Sequence, residues 1–75
     1  MTKDNSQKTA TLIRIRRVMG KTGVSKSQIY RLAQMGEFPL PVKLTAQSVA
    51  WVEQEVDHWI EQRIANRDNA KGGAI

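Results

Sequence analysis

Gly23, followed two positions later by Ser25, commits the stretch from Thr22 to Arg31 to a tight turn that launches a helix. Glycine takes the positive φ that a turn between two helices often needs. Ser25 is a favoured N-cap, because its hydroxyl can satisfy an orphan N–H of the new helix. Periodicity predicts that this helix runs from Lys26 to Met35: Ile29, Leu32 and Ala33 sit at i, i+3 and i+4 and form one apolar stripe. Gly36 stands at the C′ position, where helices commonly end. The opposite face carries Lys26, Ser27, Tyr30, Arg31 and Gln34.

Upstream, Leu12, Ile13 and Ile15 form a short apolar entry that reads as extended. A short helix follows from Ile15 or Arg16 to Lys21, with Val18 and Met19 inward and Arg14, Arg17 and Lys21 outward. Thr22 to Val24 is its turn. Downstream, the two prolines of Phe38-Pro39-Leu40-Pro41 exclude helix and favour an extended crossing. Val42-Lys43-Leu44 and Val49-Ala50-Trp51 then predict a β-hairpin around a four-residue loop, Thr45 to Ser48, although no Asn-Gly marks it. Val42, Leu44, Val49 and Trp51 are its core-closing residues. The last helix spans Glu53 to Arg67. Val52, Val56, Trp59, Ile60 and Ile64 give its apolar stripe, Glu53, Glu55, Asp57 and Glu61 load acid into its first half, and Arg63 and Arg67 complement the other end.

The order helix, turn, helix, hairpin, helix is a winged helix-turn-helix, mainly α with a small two-stranded β-hairpin. It occupies residues 12–67, between a polar, aperiodic N-terminal arm (1–11, read as disordered) and a flexible tail (68–75). At 75 residues the chain makes one small domain, and such a domain buries only about 60% of its unfolded surface. That leaves no room for a catalytic cleft with a supporting shell. The absence of cysteine excludes disulfides and thiolate metal sites and suits a reducing cytosol. Neither a membrane span nor a signal peptide is apparent, so the expected location is the cytoplasm, in association with the nucleoid.

Charge is segregated along the chain. Up to Ala50 there are nine Lys or Arg against Asp4 and Glu37, a net of +7; from Trp51 onward three basic residues face five acidic ones, a net of −2. Positive charge confined to the half with the turn motif is the footprint expected of a phosphate-binding surface. The second helix is predicted to enter the major groove, which is about 12 Å wide and admits one α-helix. Arg and Lys suit guanine and Gln suits adenine, while hydroxyls and Tyr more often hold phosphate. The candidate DNA-binding residues are Arg14, Arg17, Lys21, Ser25, Lys26, Ser27, Gln28, Tyr30, Arg31 and Gln34, with Lys43, Thr45 and Gln47 from the hairpin. The hairpin loop either approaches the neighbouring backbone or minor groove, or only closes the fold.

Other constellations carry no chemistry. Trp51 and Trp59 flank an amphipathic helix in a thin core and read as packing. His58 has no partners for a metal site, which needs three or four ligands. Glu53, Glu55 and Asp57 have no nucleophile or histidine pair beside them and read as helix N-terminal charge. Neither nucleotide-binding glycine pattern occurs. No enzyme, cofactor or metal is therefore expected.

The motifs taken in order resemble a family. Leu12-Ile13-Arg14-Ile15, Val18 and Thr22-Gly23-Val24-Ser25-Lys26-Ser27-Gln28-Ile29-Tyr30-Arg31 look like the opening of AlpA-type regulators. Gly36-Glu37-Phe38-Pro39-Leu40-Pro41-Val42-Lys43-Leu44, Val49-Ala50-Trp51 and Glu55-Val56-Asp57-His58-Trp59-Ile60 continue the likeness, which covers about Leu12 to Arg67. Members are small DNA-binding proteins of prophages and mobile elements, similar to the winged-helix domains of the MerR and phage excisionase groups. Some activate transcription, and others are recombination directionality factors that assist an integrase in excision. The resemblance implies that Ser25, Ser27, Tyr30 and Arg31 lie on the DNA-reading helix and that Trp51 and Trp59 belong to the core. The family often has Gly where Thr45 stands and Arg where Gln47 stands, so this wing lacks a customary cation.

The function expected from the sequence is binding of specific double-stranded DNA, to regulate transcription or to favour excision. One such domain buries roughly 600–1,000 Å² on DNA, so a free monomer that assembles cooperatively on DNA is expected. The competing expectation is an interaction module, whose acidic last helix docks an integrase or RNA polymerase while DNA contact is secondary.

Overall fold

The computed structural model describes residues 10–69. The elements in chain order are β1 (Leu12–Ile13), α1 (Ile15–Thr22), α2 (Lys26–Gln34), β2 (Val42–Thr45), β3 (Ser48–Val52) and α3 (Glu53–Asn69). They form a winged helix-turn-helix, with three helices and a small antiparallel sheet of order β1-β3-β2.

The extended entry foreseen at Leu12 is the third strand of that sheet. β1 pairs with β3 through Leu12↔Val52 and Ile13↔Trp51. Central β3 therefore has a neighbour on each side, and Ala50 and Trp51 are fully buried. Thr11, assigned from sequence to the arm, accepts a 2.8 Å hydrogen bond from the Glu53 N–H through its carbonyl. One orphan donor of the α3 N-terminus is thus satisfied by the strand that starts the domain. Residues 1–9 of the arm lie outside the described residues. At the other end, Asp68 and Asn69 continue α3, two residues beyond the boundary read from sequence, and the remainder of the tail is also outside the described residues.

Each helix end of the motif has a specific cause. Gly23 adopts φ 73° and its N–H donates to the Met19 carbonyl at 2.8 Å, closing α1. The Thr22 hydroxyl donates to the Val18 carbonyl at 2.9 Å and accepts from the Val24 N–H at 3.1 Å, so the turn is fastened on both sides. Gly36 adopts φ 77°. Gly36 N–H donates to Ala33 at 3.1 Å and Glu37 N–H to Leu32 at 2.8 Å, the paired bonds of a Schellman stop.

The core comprises Ile13, Val18, Ile29, Ala33, Phe38, Trp51 and Val56, with Ile15, Met19, Val24, Leu32, Val49, Trp59 and Ile60 packed against it. Two expectations need correction. Ile64 is 47% exposed, because α3 runs on past the body of the domain and only its first half has something to pack on. Val42 and Leu44 are 38% and 42% exposed rather than core-closing. β2 is an edge strand, exposed along its whole length, and it stands out as the wing.

The wing turn is also shorter than expected. Thr45 pairs with Ser48, leaving Ala46 and Gln47 as a two-residue turn, and Leu44 is the extra residue of a bulge. The Thr45 and Ser48 hydroxyls share a 2.8 Å hydrogen bond, and the Gln47 N–H donates to Thr45 Oγ1 at 3.2 Å. No non-glycine residue in the described chain has positive φ. The turn is therefore not of the primed kind that Asn-Gly favours, and the Thr45 side chain fastens it instead.

Candidate nucleic-acid interface

α2 begins where Ser25, at φ −71° and ψ 160°, accepts a 3.3 Å hydrogen bond on Oγ from the Gln28 N–H. The Ser25 carbonyl takes the Ile29 N–H at 2.9 Å. The first-turn amides of Lys26 and Ser27 have no partner further back in the helix, and their positive dipole end favours an anion. Lys26 adds a full charge beside them, and α2 contains no acidic residue.

A turn of about 3.6 residues sets which side chains face outward. Ile29 and Ala33 are buried and Leu32 half-buried on one side. Ser27, Arg31 and Gln34 lie diametrically opposite, flanked by Tyr30, which is 37% exposed. The helix thus presents one hydroxyl, one guanidinium, one amide and one phenol together. Lys26 is exposed at the upstream edge of this face. Gln28 is not part of it. Gln28 is exposed but turns toward α3, where it shares a shallow depression with Ser25, Leu32, Trp59 and Arg63.

Tyr30 connects this face to the sheet. Its ring meets the Trp51 ring edge-on at 5.7 Å between centroids, a favoured aromatic geometry. The exposed face of α2 therefore abuts the strand that carries the wing. On the wing, Lys43 and Gln47 are exposed. Thr45 is exposed too, but its hydroxyl is engaged with Ser48 and the Gln47 amide, so its first role is to shape the turn.

The candidates on α1 divide into two kinds. Arg14 sits at the N-cap and is exposed. Arg17 is exposed and only loosely opposed to Glu53, at 3.9 Å. Lys21 is different: its ammonium lies 2.7 Å from Asp57 Oδ1 and 2.8 Å from Glu53 Oε2. These bonds, Asp57 first, raise its pKa above 10.5. Lys21 is engaged in joining α1 to α3, and its charge is already neutralised by two carboxylates. Sequence reasoning saw Glu53 and Asp57 only as helix charge; their i, i+4 spacing was the available sign that they share a face. Arg16 was overlooked. It is exposed, makes no ion pair among the described residues, and lies across α1 from buried Val18.

Among the described residues no three metal-ligating side chains converge, and no helix is long and apolar enough to cross a membrane. His58 is exposed on α3 beside a shallow apolar groove that also takes in Leu40 and Val42.

Comparison with known proteins agrees with this architecture. The family model described as prophage CP4-57 regulatory protein (AlpA) matches residues 11–64. The chain is 46% identical over 55 residues to an uncharacterized protein, ORF88, of Enterobacteria phage P4; the match covers 73% of this chain and spans 62% of the phage protein's length. It is 31% identical over 65 residues to the DNA-binding transcriptional activator AlpA of Escherichia coli (strain K12), covering 79% of this chain and 93% of that one. The match runs from the first strand into the last helix and takes in the turn, the wing and both tryptophans. This chain belongs to the AlpA family of prophage regulatory proteins.

Proposed function

We propose that this protein binds specific sites on double-stranded DNA and regulates transcription from a prophage or related mobile element, with no enzymatic activity. The observation that carries the proposal is the acid-free exposed face of α2, where Ser27, Tyr30, Arg31 and Gln34 stand together behind a capped, cationic first turn. α2 lies in the major groove. Arg31 and Gln34 are the side chains suited to base edges; Ser27, Tyr30 and Lys26 hold phosphate. Arg14, at the N-cap of α1, and Arg16 and Arg17 within it add phosphate contacts beside the groove, and Lys43 and Gln47 extend the footprint from the wing. Ser25 acts through the helix start that it caps. The E. coli relative's description as a DNA-binding transcriptional activator supports the same reading.

The interaction-module alternative draws less support, because Glu53 and Asp57 already neutralise Lys21 within the chain. Charge reversal separates the two. Arg31→Glu is expected to abolish retention of a duplex containing the site, while Glu61→Lys leaves it intact; the opposite pattern overturns the proposal. Footprinting across the element that encodes the protein then defines its task. Protection at a promoter supports a regulator. Phased protection beside an attachment site instead assigns it to excision, where bending costs of about 1–6 kcal/mol are offset by contacts among several bound copies.

A further inference from the structure

The segment that joins α2 to the wing is clasped by two indoles. Trp59 Nε1 donates to the Glu37 carbonyl at 2.7 Å, and Trp51 Nε1 donates to the Pro39 carbonyl at 3.0 Å. Both tryptophans come later in the chain, from α3 and β3. Pro39 and Pro41 have no N–H to offer, so carbonyl oxygens are the main handles by which this segment can be held. Between the two held carbonyls, Phe38 is buried and meets the Trp59 ring edge-on at 4.8 Å. Arg63 lies over the same ring, 4.7 Å from its centroid. The Trp59 indole is thus fixed by Phe38 and Arg63, with its N–H aimed at Glu37.

Gly36 ends α2 and Val42 begins the wing, so the path between them sets how the wing stands relative to the exposed face of α2. β2 cannot set it alone, because it is an exposed edge strand whose only strand neighbour is β3. We propose that Trp59 is a positioning residue for DNA recognition: its bond to the Glu37 carbonyl fixes the attitude of the wing, and hence of Lys43, relative to Arg31 and Gln34. The inference rests on the DNA-binding reading given above.

Trp59→Phe keeps an aromatic ring against Phe38 and removes the donor. Phe38→Leu is the complementary variant, which loosens packing but leaves the indole–carbonyl bond. Residual dipolar couplings of the free protein are the first measurement. In Trp59→Phe, β2 amides are expected to depart from the alignment frame they share with α2, whereas in Phe38→Leu they keep it. Binding to a duplex site is the second. Trp59→Phe is expected to weaken it roughly two- to tenfold, the range one net hydrogen bond supports. Lys43→Ala is expected to weaken binding by the wild type and to cost nothing further in the Trp59→Phe background, a non-additivity that marks coupled residues. Couplings unchanged by Trp59→Phe overturn the proposal, and so does a Lys43→Ala effect that persists in full or is missing from the wild type. Absence of duplex binding by the wild type overturns the DNA reading instead, and the couplings still decide whether Trp59 sets the wing.

Discussion

Lys21 and Asp57 meet at 2.7 Å, and with Glu53 at 2.8 Å they pin the last turn of α1 to the first turns of α3. The cluster spans 32 positions of sequence between Lys21 and Glu53 and spends one of the cations of the basic half on architecture.

The pH response of this cluster has a definite sign. Hydrogen bonds to Asp57 and then Glu53 raise the Lys21 pKa above 10.5 in the folded state. A raised pKa means that the contribution is fully present below the unfolded value and is lost as pH rises through the folded one. Lys21→Met is therefore expected to melt below the wild type near neutral pH. The gap should close as the pH is taken above 10.5, and it should also shrink with salt, because the cluster is partly exposed. Thermal unfolding of both proteins against pH and ionic strength checks this; a gap that stays constant through alkaline pH would show that Lys21 contributes by packing.

The same engagement separates Lys21 from the free cations in DNA binding. Each phosphate contact contributes about 0.9 to the slope of log affinity against log salt. Lys21→Met should leave that slope unchanged, whereas Arg16→Ala and Lys26→Ala should each lower it by about that amount. Titrations at several salt concentrations decide the matter.

On α2, the two glutamines are expected to behave differently. Gln34 lies on the exposed face and Gln28 turns toward Trp59 and Arg63. Gln34→Ala should cost about 1–3 kcal/mol at its preferred base pair and relax the choice there, as should Arg31→Ala. Gln28→Ala should alter affinity less than twofold, within the roughly 0.5 kcal/mol typical of neutral surface substitutions. Binding to a library of single-base variants would read all three, and equal losses at the two glutamines would contradict the assignment of faces.

Stability tests the cap and the stop. Ser25→Ala removes the acceptor for the Gln28 N–H and should destabilise the domain by about 1 kcal/mol, while Ser25→Asp keeps most of that. Gly36 sits at φ 77° with open space where a Cβ would go. Gly36→Ala should therefore cost about 1–2 kcal/mol from backbone strain alone, and Gly36→Asn less. Denaturant titration measures each; a neutral Gly36→Ala would mean that the Schellman stop does not need its glycine.

Much of the fold could be read along the chain because its signals are local. Ser25, Gly23 and Gly36 act within one turn of themselves, and Ile29, Leu32 and Ala33 declare a face by spacing alone. Where the outcome depended on a distant partner, the sequence was silent or misleading. Leu12-Ile13 became a strand only because β3 offers it a free edge. Val42 and Leu44 looked like core residues because they are apolar and alternate, yet an edge strand that stands out as the wing leaves them exposed. Thr45 and Gln47 read as loop contacts, and the Thr45–Ser48 pairing drew them into a tight turn.

The candidate site divides along the same line. By itself the sequence determined that a capped, cationic, acid-free helix follows a glycine turn, because helix periodicity and capping are short-range effects that survive any tertiary arrangement. Only the tertiary structure decided which cations remain available to an anion: Arg14, Arg16 and Arg17 share a stretch with Lys21, but only Lys21 meets two carboxylates brought from α3. It also decided that Tyr30 leans on Trp51 and that Trp59 holds the backbone leading to the wing. Charge and hydrogen-bond partners are set by distances in space, and a linear pattern carries no distance between residues that the chain itself does not keep close.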